Sequence, residues 1–162
     1  MERDFDDFPP DFPEERMTHS DTADRIGLDN SIPQDLRPNL LKTAWFLQTL
    51  QDKLREHFDS DLVVIRLNSG YRNKVLNALV KGSKTSRHMI GLAADIKCSR
   101  MTAYELAVFI SKNMVEVGYD KIILEYNRWV HISTTQGEPQ YLEVTATKKA
   151  GKKVYIQGLQ AA

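Results

Sequence analysis

Cysteine is almost absent from this chain, and long apolar runs are absent. The 162 residues include one cysteine, Cys98, which excludes an internal disulfide. No apolar run reaches the length of a membrane span. Lysine plus arginine equals aspartate plus glutamate, at 22 each, so a dominant phosphate-binding surface, and with it a nucleic-acid partner, is not expected. Internal repeats and low-complexity tracts are also lacking.

What remains is the composition of a folded domain, 41% hydrophobic and 27% charged. The length suits one domain with one core. Prolines at 9, 10 and 13 predict an irregular N-terminal arm over residues 1–17, leaving residues 18–162 as the domain. The acidic N-terminus lacks the apolar core of a signal peptide. Synthesis in a cytoplasm is therefore expected, and a monomer is favoured.

Hydrophobic periodicity predicts an α+β domain in which helices pack a small antiparallel sheet. The predicted helices cover residues 38–57, 75–80 and 102 to about 118, the last beginning with a capping box at Thr102 and Glu105 and ending at Gly118. The predicted strands cover residues 62–67, 91–94, 121–125 and 129–133, with possible edge strands at 141–144 and 154–156.

The most informative segment runs from Ser86 to Asp95. Imidazole and carboxylate groups both bind zinc, and His88 and Asp95 lie seven residues apart across an apolar stretch, 91–94, that resembles a short buried strand. A further histidine, His131, follows 36 residues later. Three ligands would leave one zinc position open for water. For His88 alone a surface role is the simpler interpretation, but a buried Asp95 requires a partner.

A hairpin between residues 121–125 and 129–133 would place Glu125 opposite Trp129. Glu125 is then the diagonal neighbour of His131, roughly 7–8 Å away, a distance that suits a general base hydrogen-bonded to a metal-bound water. A straight strand would instead separate Glu125 and His131 by roughly 20 Å, which would exclude Glu125 as the general base. The alternative for Glu125 is a solvated hairpin residue.

A cation is also required, to hold a substrate carboxylate or to stabilise an oxyanion. Arg72 follows the first predicted strand in the turn 68–72, and its planar guanidinium can bind a carboxylate through two hydrogen bonds. A plain salt bridge is the alternative. For Ser86, a capping role and a contact with substrate are equally favoured. Trp129 is interpreted as a core or pocket-wall residue.

Together these motifs resemble the zinc D-alanyl-D-alanine carboxypeptidase and endopeptidase family, whose relatives include phage endolysins and the hedgehog amino-terminal domain. The matching residues are Ser69-Gly70-Tyr71-Arg72, Asn77, Gly82-Ser83, Ser86-x-His88-x-x-Gly91-x-Ala93-x-Asp95, Glu125 and Trp129-Val130-His131, with a leader at 20–23 and 26–30. The resemblance covers residues 18 to 134.

The resemblance implies one zinc ion bound by His88, Asp95 and His131. It implies that Arg72 and Ser86 contact substrate and that Glu125 is the general base. In several relatives the catalytic carboxylate lies three residues before the last histidine, where this chain has Arg128.

The expected function is a zinc metallopeptidase that hydrolyses stem or cross-link peptides of peptidoglycan, of phage or prophage origin. It would reach the cell wall by lysis or within a phage particle. The alternatives are a non-catalytic zinc-stabilised binding or structural domain of the same fold and, less favoured, a metal-independent interaction domain. Lysines 148, 149, 152 and 153 form a basic patch, which is either solvated or holds the protein near an anionic wall.

Overall fold

The computed structural model describes residues 4–161, so residues 1–3 of the predicted arm and residue 162 of the predicted domain lie outside it. The α-helices are α1 (Glu14–Thr18), α2 (Asp21–Ile26), α3 (Arg37–Phe58), α4 (Lys74–Leu79) and α5 (Ala103–Asn113), with a 3₁₀ helix at Arg87–Ile90. The strands are β1 (Ile65–Ser69), β2 (Ala93–Cys98), β3 (Lys121–Glu125), β4 (Trp129–Ser133), β5 (Leu142–Lys149) and β6 (Lys152–Gln157). None of the helices within the described residues is long and apolar enough to cross a membrane.

The six strands form one sheet in the order β1-β2-β4-β3-β5-β6. All neighbouring strands are antiparallel except β3 and β5, which are parallel. The predicted α+β class is confirmed. The segment predicted as a possible edge strand at 141–144 is instead an inner strand, β5, and β6 forms the edge beyond it.

One face of the sheet carries the core, because side chains alternate along each strand. The inward residues of β2, β3 and β4 join apolar residues of α3 and α5 in a single cluster, and α5 packs on these three strands. On this face, the fully buried residues of β2, β3 and β4 are Ala94, Ile96, Ile122, Leu124, Val130 and Ile132. The opposite face of the same strands is therefore free to line a cleft.

The segment predicted to be an irregular arm contains α1 instead. Pro13 stands at the N-cap and Glu14 and Glu15 occupy the first turn, where negative charge suits the helix dipole. Phe12 and Met17 are fully buried in the core. The arm is thus an integral part of the packing, and the boundary predicted at residue 17 falls inside α1.

Several predicted element boundaries are wrong, and three of them have a clear local cause. The first strand begins at Ile65 rather than at residue 62, because a turn at residues 60–62 delays it. The predicted strand at 91–94 begins only at Ala93, since Gly91 adopts a left-handed conformation (φ 78°) and caps the 3₁₀ helix. Helix α5 ends at Asn113, before Gly118, although its predicted capping box is present.

Candidate metal centre

The three predicted ligands meet at the centre of the sheet. Asp95 on β2 is paired with His131 on β4, and His88 comes from the 3₁₀ helix that precedes β2. One potential ligand atom from each residue lies within 4.8 Å of the others. The Asp95 Oδ1 atom is 3.0 Å from His131 Nδ1, and Oδ2 is 3.3 Å from His88 Nε2. These separations are close to the roughly 3.3 Å expected between two ligand atoms of a tetrahedral zinc ion.

His88 is oriented by the backbone. Its Nδ1 donates a hydrogen bond to the Gly70 carbonyl oxygen at 2.7 Å, and its side chain is 1% exposed. This bond leaves Nε2 as the nitrogen with the free lone pair. Nε2 is buried and has no hydrogen-bond partner, since its contact with Asp95 lacks hydrogen-bond geometry. A buried acceptor without a hydrogen bond destabilises the fold, and a metal ion bound to Nε2 would remove that cost.

The electrostatics favour the protonation states that bind metals. Burial lowers the pKa of His88, although Asp95 works in the opposite direction. Burial alone would raise the pKa of Asp95, but the proximity of His88 and the hydrogen bond from His131 more than offset it, and that pKa lies well below its usual range. At neutral pH Asp95 is thus a carboxylate and His88 a neutral imidazole, as metal binding requires.

The candidate ligands lie in a cleft of about 630 Å³, which also contains Arg72 and Ser86. The backbone N–H of Arg72 donates to the His88 carbonyl oxygen at 3.1 Å, which ties the turn after β1 to the metal site. Arg72 Nη2 donates to Ser86 Oγ at 3.4 Å, while Nε is buried without a partner. Burial lowers the pKa of Arg72, and Asp95 partly offsets that effect. A guanidinium donor is therefore available beside the ligands.

Ser86 performs the capping role that was one of its two interpretations. Its Oγ accepts a hydrogen bond from the His88 backbone N–H at 3.3 Å and so caps the 3₁₀ helix. The same oxygen contacts Arg72, and Ser86 also lines the cleft. Contact with substrate stays a prediction.

Glu125 reaches the same cleft across the predicted hairpin. The register pairs Glu125 with Trp129 and Ile123 with His131, so the diagonal relation between Glu125 and His131 is confirmed. The turn is closed by the Arg128 N–H, which donates to the Glu125 carbonyl oxygen at 2.9 Å. Glu125 is 8% exposed, which rules out a solvated hairpin residue. Trp129 also lines the cleft.

Comparison with known families decides the relationship. A family model described as peptidase M15 matches residues 10–133. The chain belongs to the peptidase M15 family. M15 peptidases are zinc-dependent metallopeptidases, and His88, Asp95 and His131 could hold such an ion. A comparison with curated proteins returned no match.

The peptidase M15 match ends with β4, yet three residues that line the cleft come from later in the chain. Val144 lies on β5, and Lys153 and Tyr155 lie on β6. The sequence signal for Lys153 was only its membership of a basic patch. Its place in the cleft follows from the parallel pairing of β5 with β3, which brings β6 alongside the site.

Proposed function

We propose that this M15 peptidase hydrolyses peptide bonds in the stem or cross-link peptides of peptidoglycan, with one zinc ion held by His88, Asp95 and His131. The observation that carries the proposal is the buried, unpartnered Nε2 of His88 within a three-ligand set that shares its cleft with Glu125. Zinc bound there would supply Lewis acidity, which lowers the pKa of water and polarises a carbonyl oxygen.

Glu125 is the general base in this proposal. Its carboxylate accepts a proton from the attacking water and returns it to the leaving amine, so the proton lost by the nucleophile ends on the product. The hairpin register supports this role, because a diagonal neighbour of His131 is roughly 7–8 Å away and leaves space for water between them. The low exposure of Glu125 keeps the carboxylate out of competing contact with bulk solvent.

Arg72 holds a substrate carboxylate or stabilises the developing oxyanion. The buried, unpartnered Nε and the Nη2 group that contacts Ser86 belong to one planar guanidinium. Such a group forms paired hydrogen bonds with a carboxylate or with an oxyanion. Ser86 restrains Arg72 and shares the contact with substrate.

The charge of the cleft supports an acidic peptide as substrate. Five cationic side chains line it: Arg72, Lys81, Arg87, Lys121 and Lys153. Arg87 is paired with the buried Asp120 at 3.0 Å and Lys153 with Glu125 at 3.3 Å, but Arg72, Lys81 and Lys121 add positive potential around a groove walled by Trp129. Stem peptides of peptidoglycan carry free carboxylates that this potential would attract. Action at the cell wall, after lysis or from a phage particle, belongs to the same proposal.

Mass spectrometry of peptidoglycan fragments after incubation with the zinc-loaded protein tests the proposal, since the product masses identify the bond that is cut. Glu125→Ala should abolish cleavage while one zinc ion stays bound. Glu138→Ala, which changes an exposed carboxylate outside the cleft, is the matched control and should retain activity. A protein that binds one zinc ion yet cuts no fragment would instead be a non-catalytic zinc-stabilised domain.

A further inference from the structure

The hairpin formed by β5 and β6 builds one wall of the cleft, although it lies beyond the residues that match the M15 family model. Glu125 is paired with Ala146 on β5, and Ala146 is paired with Tyr155 on β6. Directly paired residues share a face of the sheet. Ala146 is small and fully buried, and it lies between the larger side chains of Glu125 and Tyr155.

Lys153 projects from this wall towards Glu125. It precedes Tyr155 by two positions on β6, so both side chains lie on the cleft face. The Lys153 Nζ atom is 3.3 Å from Glu125 Oε2, with side-chain exposures of 40% for the lysine and 10% for the glutamate. The ammonium group also lies 4.8 Å from the centre of the Tyr155 ring and 5.6 Å from that of Tyr126. Two aromatic faces thus hold the cation in place.

Glu125 depends on this contact. Its Oε2 atom is buried and accepts no hydrogen bond, so the ion pair with Lys153 is its one charged contact within residues 4–161. A buried carboxylate is costly unless a cation or hydrogen bonds compensate it. Without Lys153, the carboxylate would turn towards solvent, and that change would remove the general base from the cleft.

We propose that Lys153 is a positioning residue for Glu125, holding Oε2 so that the carboxylate stays directed into the cleft. This inference rests on the proposed function, in which Glu125 is the base. It assigns the C-terminal hairpin a role in the rate of hydrolysis rather than in zinc binding. The contrasting role, in which Lys153 binds a substrate carboxylate directly, makes a different kinetic prediction.

Steady-state kinetics of the full-length, zinc-loaded Lys153→Met variant on a peptidoglycan peptide separate these roles. Loss of a positioning contact should lower kcat by about 10- to 100-fold, leave KM within about twofold and leave the zinc content at wild-type level. Lys153→Arg keeps the cation and should restore most of kcat. Lys152→Met is the matched control, because Lys152 lies on the opposite face of β6, paired with Lys149.

A second readout needs no metal and no activity. In zinc-free protein, Lys153→Met should lower Tm in the wild-type background and leave it nearly unchanged in the Glu125→Gln background, because the ion pair is already lost there. Equal Tm shifts in the two backgrounds would overturn the inference. The Tm comparison also shows whether the kinetic variants remain folded.

The failures of the two proposals are distinguishable. A wild-type protein that cuts no peptidoglycan peptide overturns the proposed function and the positioning role together. An active wild type whose Lys153→Met variant keeps its kcat overturns only the role of Lys153. A raised KM with unchanged kcat overturns it too and makes Lys153 a substrate-binding residue.

Discussion

Removal of zinc should measurably destabilise this protein. Ligand atoms of His88, Asp95 and His131 lie within 4.8 Å of one another, and His88 Nε2 is buried without a hydrogen bond. The folded chain therefore presents a formed set of ligands, whereas the unfolded chain scatters these residues over more than 40 positions. An ion that binds the folded state alone stabilises it by mass action.

The magnitude follows from the occupancy of the site. Free zinc at 100 times its Kd adds about 2.7 kcal/mol to the free energy of unfolding. For a chain of this length each kcal/mol raises Tm by about 2–4 °C, so saturation should raise Tm by roughly 5–11 °C. The shift should grow with the logarithm of the free zinc concentration.

Differential scanning calorimetry at several buffered zinc concentrations measures this shift directly, before and after treatment with a chelator. His131→Ala should remove most of the zinc dependence, because it takes away one ligand of three. His19→Ala should keep it, since His19 is an exposed residue paired with Asp21 at 2.9 Å. The reasoning fails if Tm does not respond to zinc, or if His131→Ala responds as strongly as the wild type.

Two further predictions concern the packing around the site and the N-terminal segment. Gly70→Ala should lower the free energy of unfolding by about 1–3 kcal/mol and weaken zinc binding, because the new Cβ would lie 2.2 Å from the Met17 carbonyl oxygen and displace the backbone that orients His88. Thermal unfolding and zinc titration measure these two effects. The control, Gly137→Ala, has its nearest neighbour at 3.8 Å and should change neither. Burial alone would raise the pKa of Asp11, but hydrogen bonds from two glutamines and an arginine, together with the charge of that arginine, lower the pKa below 3.8. The ionised Asp11 therefore stabilises the fold above about pH 3.8, and this stabilisation is lost as the pH falls through the folded-state pKa. Asp11→Asn should thus destabilise the protein by about 1–2 kcal/mol at pH 7, with a deficit that narrows below about pH 3.8 in urea unfolding curves; a deficit that stays constant down to pH 2 would contradict this.

The part of the site that depends on pairing between neighbouring strands could be predicted from the sequence. The hairpin 121–125 and 129–133 has a three-residue connection, and such a loop constrains the register. The pairing of Glu125 with Trp129 was therefore predicted correctly. Helix α3 was predicted to within one residue at each end, because its apolar positions recur with helical period over five turns.

The errors fall where distant contacts override local pattern. Residues 14–17 read as irregular after three prolines, yet Met17 is buried and its carbonyl oxygen accepts a hydrogen bond from the Tyr71 N–H at 2.8 Å. The apolar run 91–94 resembled a strand, but Gly91 packs against α3 in a left-handed conformation. Neither contact is visible in a window of neighbouring residues.

The sequence alone determined the types of residue available for chemistry. Two histidines, a carboxylate, an arginine and a glutamate stand in an order that resembles one family of zinc peptidases, and residue chemistry does not depend on the fold. Only the tertiary structure decided which of them meet, and what else they meet. The parallel pairing of β5 with β3 brings Lys153 to 3.3 Å from Glu125. This contact could not be predicted from the sequence, because strand order in a sheet depends on packing between segments that are far apart in the chain.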